Sequence, residues 1–549
     1  MLPSLFATQL LVSHLRRPAG LDLSTQSCTA IVIDHHAAVV ARVSVNFDDE
    51  LPHYNTRSGM HRVPEEGGER VTSPVFMWLE AVDILLTRLG AAVPLQRVAA
   101  LSASAQQHGS IYWKAGAQET LQALGKDASH GCLKDALQGC FAVADCPIWA
   151  DSSTFQECEA LEKAMGGPTV LAELTGSRAF PRFTAQQIAR IARRHPGVWE
   201  ACERVSLVSS FVSSLLIADF APIDASDGSG MNLMDLRSRR WSKAACDATA
   251  PGLMTRLGGE PADPSSTLGP ICTYFQERYN FTDACQVVCC SGDNPNALVG
   301  LGLQTGEIAV SLGTSDTLMG VMSMPAPKPD GHVMCHAGKP DTFFAMLVYK
   351  NADVVRKQVR DTVCDGNWAN FSRILAESAP GNGGVCVLGV VSEEITPKIQ
   401  KLGFHRDGSE DASSSTWSRV ARGPTDVRGV VEGRFLSMAS RAKDLGIAVP
   451  PQRVFVTGGA SDNIEICQIL SDVFRAPVLS DAASGPDSAS LGAALRARAA
   501  VGAHELGVQN RGRKERVVAS PRPEAGAVYD RLLPRFAAFE RSLVDQSPD

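Results

Sequence analysis

No stretch of this sequence approaches the ~18 uninterrupted apolar residues that a membrane-crossing helix needs, so no membrane span is expected. No GxxxxGK followed by Ser or Thr occurs, which excludes a P-loop nucleotide site. No CxxC pair is repeated, and the 15 cysteines are an odd number spread from Cys28 to Cys467. Neither a disulfide framework nor a zinc site is therefore indicated. Positive charge is also scarce. The 52 Lys and Arg against 59 Asp and Glu leave a net charge of -7, which supplies no basic field for nucleic acid and no like-charge run for a tail.

The rest of the composition is that of a soluble globular protein, 44% hydrophobic and 20% charged. At 549 residues the chain calls for two domains of roughly 250 residues each. Cys289 and Cys290 sit in an apolar run and read as core thiols, so the compartment expected is reducing and cytoplasmic. In the N-terminal extension, residues 1–19, Arg16-Arg17 follow the apolar residues rather than precede them. That order excludes a secretory signal and leaves an organelle address open beside an ordinary extension.

An apolar run, a turn and a helix start follow one another in Val287-Val288-Cys289-Cys290-Ser291-Gly292-Asp293-Asn294-Pro295. A carboxylate held where a helix begins can act as a base, or can simply cap the helix, and this stretch alone leaves both open. Gly20-Leu21-Asp22-Leu23-Ser24-Thr25-Gln26-Ser27 opens a β-meander through Ala30–Asp34 and Val39–Val45. Thr305 to Val321 repeats the plan of strand, hydroxyl-rich turn and strand, so the chain reads as two related halves. Turns of this kind expose backbone N–H groups that suit phosphate oxygens.

Val98–Ala105 is a small-residue strand leading into Gln106-Gln107-His108-Gly109-Ser110, where an α/β sheet usually meets its ligand. Trp149-Ala150-Asp151-Ser152-Ser153 and Thr175-Gly176-Ser177-Arg178, followed by Arg182, combine aromatic faces with acids and arginines, which is the chemistry of polyol recognition and equally of many loops. Asp224 to Asn232 reads as a Gly/Ser/Asp turn. Val454-Phe455-Val456-Thr457-Gly458-Gly459-Ala460-Ser461 is a strand entering a double-glycine turn, whose glycines permit close backbone approach. A helix is expected over Ile464–Val473 and another, with a small-residue packing face, over Ser488–Ala500.

Asp22-Leu-Ser-Thr, Gln106-Gln-His-Gly, Trp149-Ala-Asp-Ser-Ser, Gly292-Asp-Asn-Pro, Ser311-Leu-Gly-Thr-Ser and Gly458-Gly-Ala-Ser, in this order, resemble the FGGY family of carbohydrate kinases from about Gly20 to Ala500. Within it the loops are most similar to the animal-type branch that acts on xylulose. The resemblance implies an α/β, actin-like ATPase (ribonuclease-H-like) fold with two duplicated domains flanking a cleft. Residues 20–303 would be the sugar-binding domain, 304–505 the ATP-binding domain and 506–549 a tail.

The resemblance further implies ATP-dependent phosphorylation of D-xylulose to D-xylulose 5-phosphate. Asp293 would be the base and Asp22 would help hold Mg²⁺. His108, Arg182, Asp293 and Asn294 would contact the sugar, with Arg178 competing for the arginine's place. Ser24, Thr25, Gly313, Thr314, Trp368, Gly458, Gly459, Ala460 and Asn463 would contact ATP. The alternatives are a kinase for another polyol (ribulose, glycerol or gluconate) and a catalytically weak sugar-binding regulator. Neither nucleic acid nor membrane is an expected partner, and the chain would be a monomer or homodimer. Departures from the family stand out: Asp462 adds negative charge beside the nucleotide, Ser24 replaces a frequent glycine, and Glu119–Gly139 and Gly403–Ser415 read as variable polar insertions. The polar run Asp407–Ser418 is expected to be a flexible surface loop rather than a site.

Overall fold

The computed structural model describes residues 17–65, 67–126, 131–408, 415–481, 487–502 and 515–544. The chain forms two compact units. The first takes in residues 1–302, 334–341 and 485–512, and the second 303–333, 342–484 and 513–549.

In the first unit β1 (Arg17–Leu23), β2 (Ser27–Ile33) and β3 (Val39–Asn46) form an antiparallel meander. β4 (Val98–Ala105) runs parallel to β1, and β5 (Gln286–Val288) parallel to β4. β1, β2 and β4 are buried on both faces, so they read as unbroken apolar or small runs rather than alternating ones. The small residues of β4 admit the helix Ser488–Ala500, which packs on β1 and β4 and on the helix Asp293–Gly300. A Cβ added at Gly492 would lie 1.8 Å from the Asn296 carbonyl oxygen, so only glycine lets these helices approach so closely.

The second unit repeats the plan. β6 (Ile308–Leu312), β7 (Asp316–Met322) and β8 (Phe343–Tyr349) are antiparallel, β9 (Val454–Thr457) is parallel to β6, and β10 (Val478–Asp481) is parallel to β9. The same strand order, with the same sense at each step, makes the two halves a structural duplication.

Several segments take structure of their own. Arg17 to Ala19, read with the N-terminal extension, start β1 and pair with β4; residues 1–16 lie outside the described residues. Within 506–549, Glu515–Ala519 adds a strand beside β10, and Pro523–Val544 is a helix packed on Pro424–Asp444. The run Asp407–Ser418 is not simply a loop, because Gly403–Asp407 and Ser415–Ser418 pair as antiparallel strands; residues 409–414 lie outside the described residues. All 15 cysteines are free thiols, and all but Cys132 are buried. Among the described residues no helix is long and apolar enough to cross a membrane.

Candidate active site

Strand ends converge at one edge of the first unit's sheet. β1 ends in Asp22-Leu23, and β4 runs into Gln106-Gln107-His108. Ser291-Gly292, paired with Ser104-Ala105 of β4, runs into Asp293. The carboxyl edge of parallel strands is where open α/β sheets meet ligands.

Asp293 is the first residue of its helix, and Gly292 is the N-cap. Its side chain is thus not the cap. Oδ1 instead accepts from the Asn294 backbone N–H at 2.8 Å and from Asn294 Nδ2 at 3.1 Å. Burial, and next the nearby Asp22 carboxylate, push the Asp293 pKa up to about 7, against the pull of the Asn294 and Gln107 backbone N–H groups. Asp22 is buried, and burial raises its pKa also. Ser24, the residue in place of a frequent glycine, donates its hydroxyl to Asp22 Oδ2. Asp22 Oδ1 is buried with no hydrogen-bond partner.

That orphaned oxygen fits a cation. Among the described residues no three His, Cys, Asp or Glu side chains gather as a metal cluster, so a cation at Asp22 would be completed by phosphate oxygens and water. Mg²⁺ is commonly bound in this way.

The strand end that carries Gln107 leads on to His108. His108 is held in the left-handed region at φ 67, and Thr184 Oγ1 donates to its carbonyl oxygen at 3.1 Å. Its ring lies 4.4 Å from that of Phe183. Burial, and then the neighbouring Arg182 charge, lower the His108 pKa to about 3, so the imidazole is neutral. Nδ1 faces the Gly230 carbonyl oxygen at 3.1 Å and must donate to it, which leaves Nε2 as an acceptor. The Arg182 guanidinium stacks 5.0 Å from the Phe180 ring and 5.5 Å from that of Phe183.

Arg178 is engaged elsewhere. Its Nε and Nη2 each donate to Glu162 at 3.0 Å, so this competitor anchors a loop. Asp151, read from sequence as sugar-recognising, also serves the fold. It is buried and accepts from the Val71 and Ser153 backbone N–H groups and from Gln187 Nε2. Trp149 Nε1 donates to Thr25 Oγ1 at 2.8 Å, which fixes the β1–β2 turn.

Two residues that no motif singled out individually complete the group. Gln107 Nε2 donates to Asp227 Oδ1 at 3.1 Å, and Gln107 Oε1 accepts from Asn294 Nδ2 at 2.9 Å. The polar run Gln106-Gln107-His108 was the available signal, but it could not say which amide faced which partner.

In the second unit, Gly313 and Thr314 form the β6–β7 turn, and Gly458 follows β9 at φ 87, where an added Cβ would lie 2.6 Å from the Leu312 carbonyl oxygen. The Gly458-Gly459-Ala460 turn therefore packs against the end of β6. Asn463 Oδ1 caps the helix Ile464–Phe474, while its Nδ2 donates to Ser372 Oγ at 2.8 Å. That contact joins this helix to Trp368–Glu377, whose half-exposed Trp368 ring lies 4.8 Å from the Arg360 guanidinium. Asp462 is exposed, so water screens its charge. Arg356 grips the carboxylate of the buried Asp316 at 2.6 and 3.0 Å and also donates to the Gly313 carbonyl oxygen at 3.1 Å. The β6–β7 turn is thereby locked.

Profiles of the N-terminal and C-terminal domains of the FGGY family of carbohydrate kinases match residues 141–300 and 308–501. The mouse protein "Xylulose kinase" is 40% identical over 532 residues, covering 96% of this chain and 94% of its own. The chain belongs to the FGGY family of carbohydrate kinases.

The fold of this FGGY kinase agrees. The ligand-bound xylulose kinase of Lactobacillus acidophilus superposes with a TM-score of 0.75 at 16% identity, over 97% of this chain and 99% of that one. The gluconate kinase of the same organism does so with 0.74 at 17% identity, over 97% and 99%. Fold likeness at this level establishes the actin-like ATPase architecture and does not choose among sugars.

Proposed function

We infer that this FGGY kinase transfers the γ-phosphoryl group of ATP to D-xylulose, giving D-xylulose 5-phosphate and ADP. The sugar's identity is supported by the 40% identity with the mouse xylulose kinase along nearly the whole chain. The observation that carries the chemistry is the Asp293 carboxylate, raised to a pKa of about 7 by burial and by Asp22 at the edge of the sheet. A general base works best with a pKa near the operating pH, which an ordinary carboxylate lacks.

In this reading the sugar hydroxyl oxygen attacks the γ-phosphorus as the bond to the β–γ bridging oxygen breaks and ADP departs. Asp293 takes the hydroxyl proton. The reaction needs little covalent help beyond positioning and charge stabilisation. His108 Nε2 accepts from one sugar hydroxyl, and Arg182, packed against the Phe180 and Phe183 rings, donates to another sugar oxygen. Asn294, tied to Asp293, contacts the sugar beside the base. Ser24, Thr25, Gly313 and Thr314 are assigned to phosphate oxygens, and Trp368, Gly458, Gly459, Ala460 and Asn463 to the adenosine side. Mg²⁺, when bound at Asp22, would neutralise phosphate charge.

Coupled ADP release with Mg·ATP and a panel of D-xylulose, D-ribulose, glycerol and gluconate tests the reading. Turnover with D-xylulose alone is expected. Preference for another member of the panel would transfer the site to that polyol, and no sugar-stimulated release would leave a sugar-binding regulator.

A further inference from the structure

The mechanism above makes no use of Gln107 or Asp227, yet both are buried, Gln107 accepts from Asn294, which it does use, and Asp227 holds Gln107 from the other side. We propose that Asp227 and Gln107 are positioning residues that decide which atom of the Asn294 carboxamide the sugar meets. The inference rests on the reading of this site as a sugar site.

Asp227 Oδ1 accepts from Gln107 Nε2, so the Gln107 oxygen must face the other way, where it accepts from Asn294 Nδ2 at 2.9 Å. The second hydrogen of that same Nδ2 goes to Asp293 Oδ1 at 3.1 Å. Both amide hydrogens are thus spent inward, and Oδ1 is the atom that Asn294 turns to the substrate. An acceptor there selects a sugar hydroxyl as its donor. A reversed amide would instead set its oxygen against the Asp293 carboxylate, an unpaired, part-buried contact.

Protonation of Asp227 leaves this polarity intact. Burial, and then Asp224, push the Asp227 pKa up to about 8, with Asp293 adding to the rise. Asp227 Oδ2 faces Ser209 Oγ at 2.6 Å, and a hydroxyl can accept a proton's hydrogen bond as readily as donate one. Oδ1 therefore stays an acceptor in either state. The chain of amides also has no room to swing. A Cβ added at Gly292, the residue before the base, would lie 2.6 Å from Asp227 Oδ1 and 2.5 Å from Gln107 Cγ.

The test compares Asp227→Asn, Asp227→Leu and Gln107→Met, reading the D-xylulose Kd by calorimetry without nucleotide and the ATP KM in turnover. Asp227→Asn can still turn its oxygen to Gln107 and its amide to Ser209, so it should bind D-xylulose within about threefold of wild type. Asp227→Leu and Gln107→Met should each weaken D-xylulose binding about tenfold, the worth of one well-placed hydrogen bond. Their double variant should be no weaker than either single, because they cut the same chain. The ATP KM should stay put throughout, which a merely structural role would not predict. Asp227→Asn failing as badly as Asp227→Leu, or Gln107→Met binding like wild type, would overturn the proposal. Gln107→Met keeps Asp227 in place, so the test stands even where Asp227→Leu does not fold. Absence of D-xylulose binding by the wild type would sink the functional reading instead, before any variant is compared.

Discussion

The two units share a strand order but treat their carboxylates in opposite ways. At the first unit's sheet edge, Asp22 and Asp293 are left without a cationic partner among their hydrogen bonds, and burial drives both pKa values up. In the second unit the corresponding hairpin holds Asp316, fully buried, in a two-pronged ion pair with Arg356. One architecture thus yields one edge where charge is left uncompensated and another where an ion pair cancels it. The difference lies in single side chains, which duplication of the backbone does not dictate.

The contrast is open to direct attack. Arg356→Met would strand Asp316 as a buried, unpaired carboxylate and should cost about 3–5 kcal/mol of stability in urea denaturation, most of it recovered by adding Asp316→Leu. A loss no greater than that of an exposed pair would erase the distinction between the units. Asp293→Asn, in the other unit, should lower turnover about 10²-fold or more while D-xylulose still binds. Near-normal turnover would remove Asp293 from the role of base.

The pH profile sharpens the same point. The base must be deprotonated, and its folded pKa is raised to about 7, so the active form is lost as pH falls through that value. kcat/KM should then drop about tenfold per pH unit below it. A limb near the ordinary carboxylate value of 3.8 would mean that Asp22 and burial do not act on Asp293 as described. The smallest expected effect separates two arginines within the first unit. Arg182→Lys should raise the D-xylulose KM about tenfold, because lysine cannot reproduce a stacked planar fork. Arg178→Lys should change it less than about twofold, since the Arg178 guanidinium is already engaged by Glu162.

Much of the fold was legible in local pattern. The paired hairpins, the acid after an apolar run and the small-residue helix Ser488–Ala500 all depend on neighbours in sequence, and each forms where the pattern put it. The helix Pro523–Val544 was equally legible and was overlooked, for Ala525, Tyr529, Leu532, Phe536, Phe539 and Leu543 bury one face at helical spacing. The strands flanking residues 409–414 were hidden for a different reason. Polar Ser415–Ser418 is a strand because Gly403–Asp407 lies beside it, and its composition gives no such signal.

The sequence by itself determined the elements, their duplication and the residue types available at each strand end, because propensity, periodicity and turn chemistry act over a few residues. Only the tertiary structure decided what those residues became. Asp293 turned from a possible cap into a carboxylate whose pKa is raised to about 7, because Asp22 and the buried sheet edge surround it. Arg178 became an anchor because Glu162 reached it. Gln107 acquired a direction because Asp227 and Asn294, 120 and 187 residues away, stand on its two sides. Charge and hydrogen-bond polarity are set by whatever lies within a few ångströms, and only the folded chain brings those groups together.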